Sequence, residues 1–170
     1  MKQSILVAGI GNVFFGDDAF GVEVARRLAQ WPLPSCVKVA DFGIRGFDLA
    51  HSLLDGYDLV ILVDAARRGV APGTLQVIEP DLNGSGPGFP EASLPQAHGM
   101  VPTRAIEMAK ALGAKLKMVR VVCCEPASLG GEGEEFCGLS EPVSAALDEA
   151  VNLIESIIEE FIHSSCTNSV

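Results

Sequence analysis

Three side chains that lie far apart in the chain have types that could do chemistry together: Asp18, Asp64 and His98. Two carboxylate oxygens and an imidazole nitrogen make an open, incomplete coordination sphere for a divalent transition metal such as zinc or nickel. Positions remain for water or a substrate group. Each residue also has a plain structural reading. Asp18 can cap a helix, Asp64 can end a strand by accepting bonds from loop N–H groups, and His98 can lie idle on the surface. Placement favours the chemical reading. Asp18 follows the first strand, Asp64 closes the third, and His98 comes just after a long loop. All three can therefore converge on the crevice at the carboxyl edge of an open α/β sheet.

The elements that must position them follow from hydropathy and turn residues. Ile5-Leu-Val-Ala begins a continuous apolar run, the pattern of a strand buried on both faces, and Gly9, Gly11 and Asn12 break it into a turn. An amphipathic helix is expected from Asp18 to Gln30, with Val22, Val24, Ala25, Leu28 and Trp31 on its apolar side and Pro32 as its stop. Asp17 and Asp18 fall at its start, where unpaired N–H groups and a partial positive charge favour an anion. One of them can cap, which leaves its neighbour to face the crevice. A second strand runs from Cys36 to Asp41, and a glycine turn leads to a short helix from Phe47 to Leu54. Asp58 to Asp64 is the most apolar strand. Pro72-Gly73 turns into a shorter strand, Thr74 to Glu79, whose direction the sequence leaves open.

Residues 80–95 are rich in glycine and proline and lack a hydrophobic period, so they read as a long loop and a possible lid. A helix from about Pro102 to Leu112, with Ile106, Ala109 and Leu112 inward, leads to a last strand from Leu116 to Cys124. Ser140 is placed to cap a closing helix whose Val143, Leu147, Val151, Ile154, Ile158 and Phe161 recur every three or four residues; the tail from about residue 164 is expected to fray. Strands separated by helical segments require crossovers. The expected architecture is a three-layer α/β/α domain over residues 1–170. Its sheet is mostly parallel or mixed and twisted, with about five strands and helices on both faces.

A formal charge of −10 argues against nucleic acid and anionic membranes as partners, since either needs a basic face. The first apolar run is too short for a signal peptide and none approaches a membrane span, so a cytoplasmic protein is expected. Cys36, Cys123, Cys124, Cys137 and Cys166 form no CxxC and suggest no disulfide framework.

Gly9-x-Gly11 with Gly16 invites a dinucleotide reading, with Asp41 as the acid that would hold a ribose. The adjacent acids oppose it. A phosphate about 4 Å from a carboxylate, at an effective dielectric near 20, costs roughly 4 kcal/mol. Serine-hydrolase elbows and His-Glu-x-x-His are absent. His51, in a short helix, and His163, in the tail, are weaker ligands. Cys123 and Cys124 point to opposite faces of their strand, so at most one can approach the site, and both are more readily small core residues.

Gly9-Ile-Gly-Asn-Val-Phe-Phe-Gly-Asp-Asp-Ala-Phe-Gly21, Asp41-x-Gly-x-x-Gly46, Leu62-Val-Asp64-Ala and a histidine opening a helix after a variable loop together resemble the nickel-iron hydrogenase maturation endopeptidases. The resemblance runs in order over nearly the whole chain. It implies an endopeptidase that removes a short C-terminal extension from the hydrogenase large-subunit precursor once that precursor carries nickel. Asp18, Asp64 and His98 match the family's nickel-contacting positions. The resemblance makes nickel a recognition signal borne by the substrate, and zinc or cadmium can take the same site in vitro. Asp17 and Asp41 become secondary candidates for orienting a ligand or the substrate tail. Some relatives carry Glu at the position of Asp18, one methylene longer in reach.

Overall fold

The computed structural model describes residues 3–82, 102–130 and 138–167. Among these, five strands form one mixed sheet in the order β2-β1-β3-β5-β4. They are β1 (Ile5–Ile10), β2 (Val37–Gly43), β3 (Leu59–Ala65), β4 (Leu75–Ile78) and β5 (Val119–Cys124). The pairs β1/β2, β1/β3 and β3/β5 are parallel, which the helical crossovers between them require. β4 runs antiparallel to β5, which settles the direction left open by the sequence.

Alternation along the strands sorts side chains into two cores. Ile5, Val7, Leu59, Ile61, Val63 and Val122 face α1 (Phe20–Leu28), α4 (Glu141–Ala145) and α5 (Leu147–Thr167). Leu6, Ala8, Val60, Leu62, Val119 and Val121 face α2 (Gly46–Ser52) and α3 (Pro102–Ala111). The three-layer arrangement expected from the hydropathy pattern is therefore present. Among the described residues, no helix is long and apolar enough to cross a membrane.

Several local expectations are corrected. The first helix opens with a 3₁₀ turn, Gly16–Ala19, before α1 begins at Phe20, so both acids lie in a tighter turn than an α-helical start would give. β2 extends two residues beyond Asp41. Its register against β1 jumps from Gly9↔Asp41 to Ile10↔Gly43, which leaves Phe42 as a bulge and places Asp41 inside the strand and not at its end. Trp31 lies past the end of α1 and Leu112 past the end of α3; at 46% and 61% exposed, neither joins the core. The closing helix is two, α4 and α5, and α5 continues to Thr167 where fraying was expected from about residue 164. His163 thus sits on a helix, with Nδ1 2.7 Å from the Glu159 carbonyl.

α1 lies unusually close to the sheet. A Cβ on Gly9 would come within 2.6 Å of the Ala25 Cβ and overlap the Gly21 carbonyl. One on Gly21 would stand 2.8 Å from the Ile10 amide nitrogen and overlap the carbonyls of Val63 and Ile10. Glycine is demanded here by backbone approach.

Candidate active site

In the strand order, β1 leads outward to β2, and the chain then returns to β3 on the other side of β1. The gap between the carboxyl ends of β1 and β3 is thus the topological switch point, the place where open α/β sheets bind ligands. Asp18 reaches this gap from the turn after β1, and Asp64 from the penultimate position of β3. Forty-six positions separate them in sequence, yet the charge of Asp18 acts directly on Asp64.

The loop between β1 and Asp18 is held by its own backbone. The Asn12 side-chain oxygen accepts from the Phe14 N–H (3.0 Å), an Asx turn, while the Asn12 N–H donates to Asp18 Oδ2 (2.7 Å). Gly11, at φ +130, leaves no room for a side chain, because a Cβ would overlap the Asp18 carbonyl. This glycine turn therefore closes on the residue that bears the acid, and the Asn12 N–H that a phosphate would need is taken by Asp18 Oδ2.

Asp64 lies in phase with Val60 and Leu62 on the α2/α3 side of the sheet, just beyond that core. Its Oδ1 accepts from the Ala65 N–H at 2.9 Å. Burial holds its carboxyl well above the usual range; the Asp18 charge pushes it further and the Ala65 bond opposes both. Burial likewise raises Asp18, against the Asn12 bond. Both residues keep some solvent exposure, so protein crowds the carboxyls without sealing them in. Among the described residues, Asp18 Oδ1 and Asp64 Oδ2 accept no hydrogen bond. Two neighbouring carboxylates with spare oxygens and raised affinity for a positive charge fit a cation or a shared proton.

His98 and the whole 83–101 segment, including most of the suggested lid, lie outside the described residues. Among the described residues, no group of three or more potential ligands is gathered at metal-binding distance. The structure accordingly brings together two members of the expected trio.

The neighbouring acids have other employment. Asp17 is 1% exposed. Its Oδ2 accepts from the N–H groups of Ala127 (2.8 Å) and Ser128 (3.0 Å) and from Ser140 Oγ (2.9 Å), and its Oδ1 from the Ser140 N–H (2.7 Å). With four donors on one buried carboxylate, Asp17 is a structural junction and not a residue that faces a ligand. The same contacts explain why Ser140, although it precedes α4, makes no side-chain cap: its hydroxyl is turned to Asp17. Asp41 meets Arg26 at 3.7 Å and its carbonyl accepts from Arg45.

Cys123 pairs in register with Asp64, and Cys124 faces the opposite core, as alternation requires. Burial pushes both thiols up to about 12, with the Asp64 charge adding for Cys123 and the Asp17 charge for Cys124. Glu125, the residue that follows β5, is 7% exposed. Its carboxylate accepts from the N–H groups of Arg68 (2.6 Å) and Gly69 (3.3 Å), fixing the loop that leaves β3 just beyond Asp64.

Fold and site together define the class: a three-layer α/β protein with a mixed sheet, whose opening glycine loop is a packing device and whose switch point carries two acids. A family model described as hydrogenase maturation protease matches residues 22–157, a stretch that starts just after the glycine turn and includes Asp64 and His98. The chain is 35% identical over 160 residues to a Methanocaldococcus jannaschii protein provisionally named a hydrogenase maturation protease, covering 90% of this chain and 95% of that one. It is 32% identical to the hydrogenase expression/formation protein HupM of Azotobacter chroococcum, covering 94% of this chain and 73% of HupM. Among solved structures, the hydrogenase maturating endopeptidase HybD from Escherichia coli matches with a TM-score of 0.72 at 25% identity over 93% of each chain. The NiFe hydrogenase maturation protease HycI from Thermococcus kodakarensis gives 0.66 at 26% identity, over 93% of this chain and 94% of HycI. The chain belongs to the hydrogenase maturation protease family. It is accordingly an endopeptidase of hydrogenase processing.

Proposed function

We propose that this endopeptidase removes the C-terminal extension of a hydrogenase large-subunit precursor in the cytoplasm, and that it acts only on precursor already loaded with nickel. The observation that carries this reading is the pair Asp18 and Asp64, drawn from the turn after β1 and from β3 to one switch point, with an oxygen of each unbonded among the described residues. An isolated pair of carboxylates repels itself; a divalent ion carried in by the substrate relieves that repulsion. His98 is proposed as the third ligand, arriving from beyond the 80–95 loop. Such an O,O,N set is incomplete for nickel, so it holds the ion well only when the client supplies further ligands. Cleavage then becomes conditional on metal loading.

The metal, when present, supplies charge that can polarise a carbonyl or lower the pKa of water. The chain's own contribution is positional. Asn12 orients Asp18, the Ala65 N–H orients Asp64, and burial raises the proton affinity of both carboxyls.

The test is incubation of the purified protein with nickel-loaded and with metal-free precursor, followed by intact mass spectrometry of the precursor. Loss of a C-terminal peptide from the loaded form alone is expected, and His98→Ala should abolish it with the far-UV spectrum unchanged. Equal shortening of both forms would overturn the nickel requirement, and full activity of His98→Ala would remove that residue from the site.

A further inference from the structure

We propose that Asp17 is a positioning residue for Asp18, clamping the turn that carries it to the connection between β5 and α4 so that one acid of the adjacent pair is locked away and the other is aimed at Asp64. The proposal rests on the reading of Asp18 and Asp64 as the working pair.

The geometry of the turn carries it. Gly16–Ala19 is a single 3₁₀ turn with no side-chain cap of its own, so little within it fixes how it is rotated. Asp17 supplies that constraint from outside. Its N–H donates to the Ser128 carbonyl (3.1 Å) while its carboxylate accepts the Ser128 N–H, a reciprocal pair of bonds. Its remaining bonds reach Ala127 and Ser140, residues 110 and 123 positions away. Gly130, at φ +72, presses the same connection against Phe15, where an added Cβ would stand 3.1 Å from Phe15 Cδ1. The turn is thus gripped on its far side at two positions, Phe15 and Asp17, that flank Gly16. With Asp17 held inward, the adjacent side chain of a 3₁₀ turn is rotated by about a third of a turn, and Asp18 emerges toward Asn12 and β3.

Charge explains why this junction is an aspartate. Three backbone N–H groups and one hydroxyl converge, an arrangement that only an ionised carboxylate can satisfy with acceptors alone. In Asp17→Asn the amide group turns one or two N–H donors against existing donors. The turn then loses its fixed rotation while the sheet and helices remain.

The discriminating measurement is residue-resolved hydrogen exchange in the metal-free full-length protein, which does not depend on the metal reading. The Asn12 amide reports the placement of Asp18, because it donates to Asp18 Oδ2. In Asp17→Asn, Asn12 exchange should accelerate at least tenfold while the Leu62 amide in β3 keeps its wild-type rate. Should Asp17→Asn fail to fold, Ser140→Ala removes one of the four donors and should show the same selective loss in milder form. Unchanged Asn12 exchange in a folded variant would overturn the proposal, as would a uniform acceleration of Asn12 and Leu62, which describes general destabilisation. On loaded precursor, the variant should lower kcat with KM near wild type. If Asn12 is released but cleavage persists undiminished, Asp17 positions Asp18 and the working-pair reading is what fails.

Discussion

Replacing Gly21 by alanine tests whether the glycines of the opening motif exist for packing. The added Cβ would stand 2.8 Å from the Ile10 amide nitrogen and overlap two carbonyl oxygens, on Val63 and Ile10. These are backbone atoms of β1 and β3 at the centre of the sheet, so they cannot rotate away as a side-chain tip would. Relief requires α1 to retreat by about an ångström, which strains a close-packed interface that includes Phe20, Val24 and Leu28. Overpacking of this kind costs about 1–3 kcal/mol, and the fixed backbone on both strands places Gly21→Ala near the upper end. Alanine's better helix propensity returns about 1 kcal/mol at most. A net loss of about 2 kcal/mol is expected in urea unfolding followed by far-UV circular dichroism, with the slope unchanged. Because the turn bearing Asp18 leads directly into α1, displacement of the helix carries that acid away from Asp64. A misplacement near 1 Å costs on the order of 100-fold in rate. Precursor cleavage should therefore fall much further than the stability loss alone explains. Wild-type stability and wild-type cleavage in Gly21→Ala would refute the packing argument.

Asp64→Asn should stabilise the metal-free protein while abolishing cleavage. The native carboxyl binds its proton more tightly than the unfolded one, so its contribution to stability is complete below about pH 4 and is lost as pH rises through the elevated native value. Removing that charge should gain roughly 0.5–2 kcal/mol at pH 7 and vanish as a difference at low pH; thermal melts at both pH values check it. Glu125→Ala leaves the Arg68 and Gly69 N–H groups without their acceptor and should cost about 1–3 kcal/mol in chemical denaturation. Cys123 and Cys124, buried and with thiols raised to about 12, should resist iodoacetamide at neutral pH in the native protein and label fully in denaturant, as read by peptide mass spectrometry.

The layers, the strand succession and the switch-point location of Asp18 and Asp64 were legible because they depend on hydropathy periods and on where acids stand relative to strand ends. The division of labour between Asp17 and Asp18 was not. Its cause is Ser140, 123 positions away, and no local pattern announces a partner at that distance. Glu125 was hidden for the same reason, since an acid followed by Pro126 after a strand reads as an exposed loop. The bulge at Phe42 and the outward Trp31 and Leu112 reflect tertiary context overriding periodicity, each at the edge of an element where the period is least informative. The glycine motif was recognised by its spacing, but its purpose appeared only once α1 was seen resting on β1 and β3.

The separation of the two acids has a consequence for the newly made chain. β1 and β3 pair in parallel across an intervening strand and two helices, so Asp18 and Asp64 meet only after a contact of long sequence separation has formed, among the slower events in folding. A partly synthesised or partly folded copy carries each acid but not their juxtaposition. The pair is thereby withheld until β1 and β3 have come together, so the candidate site and the centre of the sheet are completed in one event.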